Sequence, residues 1–191
     1  VFDDKKITMA ELCDALDHNF EDDQELLQML LKAPKFGNDD DYADQQVVWV
    51  LHQWLSEFNQ IKNLRGGHGG TGGSVMGGYV PAGKGVGALP SGRMAGKPLC
   101  DASSPGTGKD LNGPTAVVKS MGKIDNVEIL GGITFNLTID PVVFKDGDVK
   151  RLADLIRTFV DQKIFHLQVN VVSSDTLRAA QKEPEEYRDL M

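Results

Sequence analysis

Apolar residues recur at helical spacing through the first third of the chain. Thr8 and Glu11 form a capping box, Ile7 is placed to staple onto Leu12, and Leu12, Leu16 and Phe20 continue the stripe. A second helix is expected from about Asp22, with Leu26, Leu27, Leu30 and Leu31 buried and an end before Pro34. After the polar turn FGNDDD, a longer helix carries Val47, Val50, Leu51, Trp54, Leu55, Phe58 and Ile61 on its apolar side. The acidic run Asp39, Asp40 and Asp41 puts negative charge at that helix's N-terminus, where the helix dipole favours it. Capping is the better reading of this run than a metal cluster, since adjacent carboxylates do not converge without a defined loop.

In the final third the period switches between two and 3.6. Ile133, Phe135, Leu137 and Ile139 share one face of a strand. Asp148 is placed to cap a helix whose stripe is Val149, Leu152, Leu155, Ile156 and Phe159. A strand over 164–171 follows, then a helix from about Ser174. This order predicts parallel strands joined by crossover helices, hence an α/β fold, and we read it as a barrel segment with a helical N-terminal third. Alternation puts His166, Gln168 and Asn170 on one face of the second strand, with Leu167, Val169 and Val171 on the other. A row of hydrogen-bonding, mostly uncharged groups suits a lined interior; a half-exposed strand with a polar outer face is the alternative.

Between these parts the pattern breaks, since thirteen of the 31 residues from Gly66 to Gly96 are glycine. Val75, Met76, Tyr79, Val80, Val86 and Leu89 interrupt them, so the stretch is not a flexible linker. Glycine here is expected to permit positive φ and close backbone packing. The chain therefore divides into a helical segment, 1–64, and a glycine-rich plus βαβα segment, 65–191, together one incomplete domain.

The 191 residues are 40% hydrophobic and 25% charged, values of an ordinary globular domain. A net charge of −8 argues against a nucleic-acid or anionic-membrane surface. No apolar run approaches the roughly 20 residues of a membrane span. The first residues, VFDDKKITMAEL, have no apolar signal-peptide core. Cys13 and Cys100 are far apart and form no Cys-x-x-Cys pair, which fits a reducing, cytoplasmic setting. The sequon at Asn136 is then coincidental.

The tempting motifs fail. Gly78-x4-Gly83-Lys84 imitates a Walker A loop, but position 85 is glycine where magnesium coordination needs a hydroxyl. Gly83, Gly85 and Ala88 fit a loose dinucleotide pattern that runs into Leu89-Pro90 instead of a helix. His18, His52, His68 and His166 have no metal-ligand spacing with one another or with the cysteines. Asn112-Gly113-Pro114-Thr115 opens a short helix that Gly122 closes. No complete active site is legible from chemistry alone.

Four separated stretches nevertheless resemble a known family together. KAPKFGNDDDYAD (32–44), GALPSGRMAGKPL (87–99), DASSPGTGKDLNGPTAVVKSMGKID (101–125) and HLQVNVVSSDTLRAAQKEPEEYRDLM (166–191) occur in order and are similar to the C-terminal part of the glycyl radical enzymes, the pyruvate formate-lyase-like family. The closer resemblance is to the branch of glycerol and diol dehydratases, aryl-acetate decarboxylases and benzylsuccinate-type synthases. The resemblance implies a ten-stranded α/β barrel and a backbone glycyl radical in the parent enzyme. It implies a partner activase that uses S-adenosylmethionine and an iron–sulfur cluster, a small organic substrate and a homo-oligomer.

The chain departs from the family where the chemistry resides. The glycyl motif, of the form R-V-x-G-Y, follows a segment like EPEEYRDLM, and this sequence runs only to Met191. The family's Gly-Cys loop is missing too. Cys13 lies in a helical pattern, and Cys100 stands where relatives carry a small residue, so neither inherits the catalytic role. The expectation is a portion of a radical lyase, dehydratase, decarboxylase or fumarate-adding synthase, not catalytic alone and with the rest of its own polypeptide as first partner. A non-catalytic binding or assembly subunit is the alternative, and a nucleotide-binding protein rests only on the failed glycine motifs. His166, Gln168 and Asn170 are candidates for the substrate cavity, as are Ser74 and Met76; the alternative is that the first three bridge strands inside the barrel. Arg93 is expected to hold a loop through an ion pair or carbonyl contacts. Ser103, Ser104 and Asn112 are expected to hydrogen-bond the backbone of their own inner loop.

Overall fold

The computed structural model describes residues 4–73, 77–144 and 149–190, with residues 189 and 190 by backbone alone. The three N-terminal helices are α1 (Met9–Asp17), α2 (Gln24–Lys32) and α3 (Asp41–Phe58). The capping box at α1 is complete: Thr8 accepts from the Glu11 amide, and the Glu11 carboxylate accepts the Thr8 N–H at 2.7 Å. Asp40 caps α3 by accepting the Tyr42 N–H at 2.9 Å. That helix ends at Phe58, so Ile61 lies in the following loop, exposed.

The glycine-rich stretch forms a short helix, α4 (Tyr79–Lys84), which the glycine content concealed. Next come α5 (Gly113–Gly122), strand β1 (Phe135–Ile139), α6 (Val149–Asp161), strand β2 (Leu167–Val171) and α7 (Ser174–Lys182). Short 3-10 helices follow β1 (Pro141–Phe144) and α7 (Pro184–Leu190). Asp148 lies outside the described residues.

β1 and β2 pair in parallel, Phe135 against Leu167 through Ile139 against Val171, with α6 between them in sequence. The buried side of β1 carries Phe135, Leu137 and Ile139 into a core with Val117, Val118 and Met121 of α5, Phe159 of α6 and Leu55 of α3. Phe135 and Phe159 stack with ring centroids 5.8 Å apart. A second core joins Leu12, Ala15, Phe20, Leu27 and Leu30, closed by Ala88 and Met94 from the glycine-rich part.

The two halves of the chain meet at Asp44, whose side chain has no solvent exposure. One oxygen accepts from Ser120 Oγ at 2.8 Å and lies 2.7 Å from Lys123 Nζ; the other accepts the Gly37 N–H. Lys123 also reaches Asp39 at 3.1 Å and Asp41 at 2.7 Å. Burial works against the charge on Lys123, but hydrogen bonds to Asp41, Asp44 and Asp39 outweigh it and hold the ammonium's pKa above the ordinary lysine value. Hydrogen bonds from Lys119 and Lys123 keep the Asp39 carboxyl below the usual carboxylate range. The acidic run thus does two jobs, capping α3 and pairing with α5.

Removing a buried partner strands the others. Asp44→Ala leaves Ser120 and the Gly37 amide without their acceptor, and the expected loss of unfolding free energy is about 3 kcal/mol. Asp41→Ala, at an exposed site, is expected to cost under about 1 kcal/mol in the same denaturant titration.

Candidate functional site

The parallel register gathers a polar face on one side of the two strands. Asn136 lies beside Gln168, and Thr138 beside Asn170. Opposite, Phe135, Leu137 and Ile139 enter the core. Gln168 is exposed and Asn170 is partly buried.

His166 does not belong to this row. Its φ of 62° is left-handed, and β2 begins one residue later, at Leu167. The expected strand over 164–171 is therefore shorter at its start, and alternation carries only from Gln168 to Asn170. His166 turns the corner into the strand, its ring 4.3 Å from that of Phe165 and its carbonyl accepting the Phe135 N–H at 3.0 Å. Phe165 packs over Gly132, where a Cβ would collide with the ring. A period-two pattern cannot reveal a left-handed residue in a non-glycine position, since only about a few per cent of such residues adopt it.

The segment after Cys100 seals the other edge of β1. Ser103 donates through its N–H and its hydroxyl to the Thr134 carbonyl, at 3.3 and 2.9 Å. The Ser104 hydroxyl donates to the Asn136 carbonyl at 3.2 Å and accepts the Asn136 N–H at 3.1 Å, the two bonds that a neighbouring strand makes. Asp101 receives a hydrogen bond from the Asn136 side-chain amide. The second Asp101 oxygen, the Asn136 Oδ1 and the Thr71 hydroxyl are buried without a partner among the described residues. Buried acceptors without donors are costly, so this end of the polar face is where an added donor brings most.

The loop is anchored at its far end by Asn38. Its side-chain amide donates to the Lys109 carbonyl at 2.7 Å and its oxygen accepts the amides of Leu111 and Asn112. Asn112 answers by donating to the Asn38 carbonyl at 3.0 Å. Gly37, at φ 98°, lies under Pro105, whose ring a Cβ there would strike. The side chains of the three loop residues thus bond outside their own loop: Ser103 and Ser104 hold β1, and Asn112 holds the turn before α3. This replaces the expectation that they would bond their own loop's backbone. Asn38 carries more of the attachment than any of them. An Asn flanked by glycine and aspartate before a helix was the available signal, since such residues bond backbone at turns.

Arg93 gathers five carbonyls: Gly83, Val86, Gly87, Lys97 and Pro98. It ties α4 to the loop after it, and no ion pair of Arg93 occurs among the described residues. Ser74 and Met76 lie outside the described residues. Cys13 is exposed on α1, and burial pushes the Cys100 thiol up from its ordinary value. Among the described residues no group of three His, Cys, Asp or Glu side chains is placed to hold a metal ion, and no helix is long and apolar enough to cross a membrane. The polar face can donate and accept hydrogen bonds.

Two family descriptions account for almost the whole chain. Residues 1–83 match "Pyruvate formate lyase-like" and residues 99–191 match "Glycine radical". Over 194 residues the chain is 39% identical to isethionate sulfite-lyase of Bilophila wadsworthia, covering 100% of this chain and 23% of that protein. The fold superimposes on the B12-independent glycerol dehydratase of Clostridium butyricum with a TM-score of 0.88 at 40% identity, covering 99% of this chain and 24% of the other. Hydroxyproline dehydratase from Clostridioides difficile gives 0.90 at 36% identity, with 99% and 24% covered. The chain belongs to the glycyl radical enzyme family, and its helices and parallel strands are part of that family's α/β barrel. It spans about a quarter of the length of the relatives it matches.

Ser104→Ala removes both strand-like bonds to Asn136 and leaves a backbone pair at the β1 edge without partners. The expected loss of stability is about 1–3 kcal/mol, with faster amide exchange at Asn136. Unchanged exchange there contradicts the role given to Ser104.

Proposed function

We propose that this chain is a section of barrel wall of a glycyl radical lyase or dehydratase, and that its chemistry requires the rest of a longer polypeptide. The observation carrying this reading is the near-complete match to two family descriptions by a chain that spans about a quarter of its relatives. The apolar side chains left open agree with it. Trp49, Val50 and Trp54 on α3 and Val149 and Val160 on α6 are each more than half exposed. Exposed apolar area of this kind marks a surface that another element covers.

In this reading Gln168 and Asn170, with Asn136 and Thr138, line the space where a small organic substrate is held. Amides and a hydroxyl suit that place because they orient a substrate without reacting. His166 sets the start of β2. The glycyl radical, installed by an activase with S-adenosylmethionine and an iron–sulfur cluster, supplies the hydrogen-abstracting chemistry when it is present. The residues of this chain contribute position and exclusion of water, which protects reactive intermediates. Neither Cys13 nor Cys100 takes the catalytic role of the family's Gly-Cys loop. A cytoplasmic, homo-oligomeric enzyme belongs to the same proposal.

The intact mass of the native polypeptide, read with its coding DNA on both sides, tests this directly. The expected mass is roughly four times the 20.8 kDa of the chain, from its 24% share of the glycerol dehydratase. An R-V-x-G-Y run downstream and a Gly-Cys loop upstream are expected in the DNA. A native mass near 20.8 kDa overturns the radical-enzyme reading and leaves a binding subunit.

A further inference from the structure

A cavity of about 530 Å³ lies between the turn after α2, the loop around Arg93 and the inner loop near Lys109. Its apolar lining comes from Phe36, Leu89, Met94 and Leu99. Lys35, Arg93, Lys97 and Lys109 also line it, and no aspartate or glutamate does. In a chain of net charge −8, four cations around one apolar hollow without a carboxylate are a marked local reversal of sign. Arg93 is saturated by backbone carbonyls, and Lys35 donates to the Leu30 and Ala33 carbonyls at 2.6 and 2.8 Å. Lys97 and Lys109 take part in no ion pair among the described residues. Burial, and then the nearby Lys109 charge, lowers the Lys35 pKa.

We propose that this cavity binds a small organic anion, with its carboxylate, sulfonate or phosphate on Lys97 and Lys109 and its apolar body against Phe36, Met94 and Leu99. Three observations favour a small ligand over a stretch of polypeptide. The volume is in the range of about 300–1,000 Å³ typical of ligand pockets, and apolar side chains are set beside charged ones that can fix a ligand's orientation. The walls are fixed without an occupant, by Arg93 on five carbonyls and by Asn38 on the Lys109 carbonyl. The surfaces open to a neighbouring element, on α3 and α6, are apolar stripes of a different character. The site is separate from the polar face of β1 and β2, and it does not depend on the proposed function.

Cys100 is in the cavity wall and open to solvent, so it reports on occupancy, while Cys13, also exposed but on α1, serves as control. The native full-length polypeptide is alkylated with N-ethylmaleimide, and the peptides holding each cysteine are followed by mass spectrometry. Saturating 4-phenylbutyrate is expected to slow Cys100 at least about threefold and leave Cys13 unchanged, because a bound ligand covers the wall. The neutral 4-phenyl-1-butanol has the same body and is expected to protect little. The double variant Lys97→Gln, Lys109→Gln is expected to lose the protection by the anion while retaining the rate of free Cys100. Equal protection by acid and alcohol, no protection by the acid, or protection that survives in the double variant overturns the proposal. So does a Cys100 already inert in the native polypeptide, which means that another segment fills the cavity.

Discussion

The Asp44 carboxylate is taken wholly out of water, and that burial is tolerable only because Ser120, the Gly37 amide and Lys123 all converge on it. The convergence joins parts of the chain that are far apart in sequence, the turn entering α3 and the end of α5. Once α5 is fixed there, Val117, Val118 and Met121 offer β1 its apolar floor. The same turn presents Asn38 to the loop that carries Ser103 and Ser104. A single electrostatic junction thus sets both the core under the sheet and the loop along its edge.

The polar face of β1 and β2 depends on that arrangement. Ser104 occupies the hydrogen-bonding groups of Asn136 on the edge away from β2, so β1 ends its pairing there without a further strand at that residue. With Asn136 held, Gln168 and Asn170 take their register through the parallel ladder. The unpartnered oxygens of Asp101 and Asn136 lie at the margin of this face. A wall of amides and hydroxyls can hold a bound molecule in one orientation without reacting with it.

Much of this was legible from local pattern. The capping box at Thr8, the helix opening at Pro114, the apolar side of β1 and the parallel pairing across α6 all follow from residue type and spacing. Local pattern failed where the outcome depends on distant partners or on unusual backbone. His166 looked like a strand residue because alternation takes no account of φ, and a left-handed conformation there shortens β2. Asp44 reads as one more acid on a helix, and only the fold brings it to Ser120 and Lys123. Ser103, Ser104 and Asn112 have the right chemistry, but their bonding partners are set by tertiary contacts. α4 was hidden because glycine lowers helix propensity, a weak preference that packing overrode.

As part of an α/β barrel, β1 and β2 are two staves of a larger closed sheet. The Phe135 N–H bonds the His166 carbonyl, and the Val172 N–H bonds the Ile139 carbonyl. The amides of Leu167, Val169 and Val171 therefore point to the opposite edge of β2, where no strand pairs among the described residues. Hydrogen exchange of these three amides in the native polypeptide is the most direct test. The account predicts strong protection, comparable to the amides of β1, because a third strand lies alongside in the intact barrel. Rapid exchange at all three in the native polypeptide means that the sheet ends at β2, and that result contradicts the barrel account.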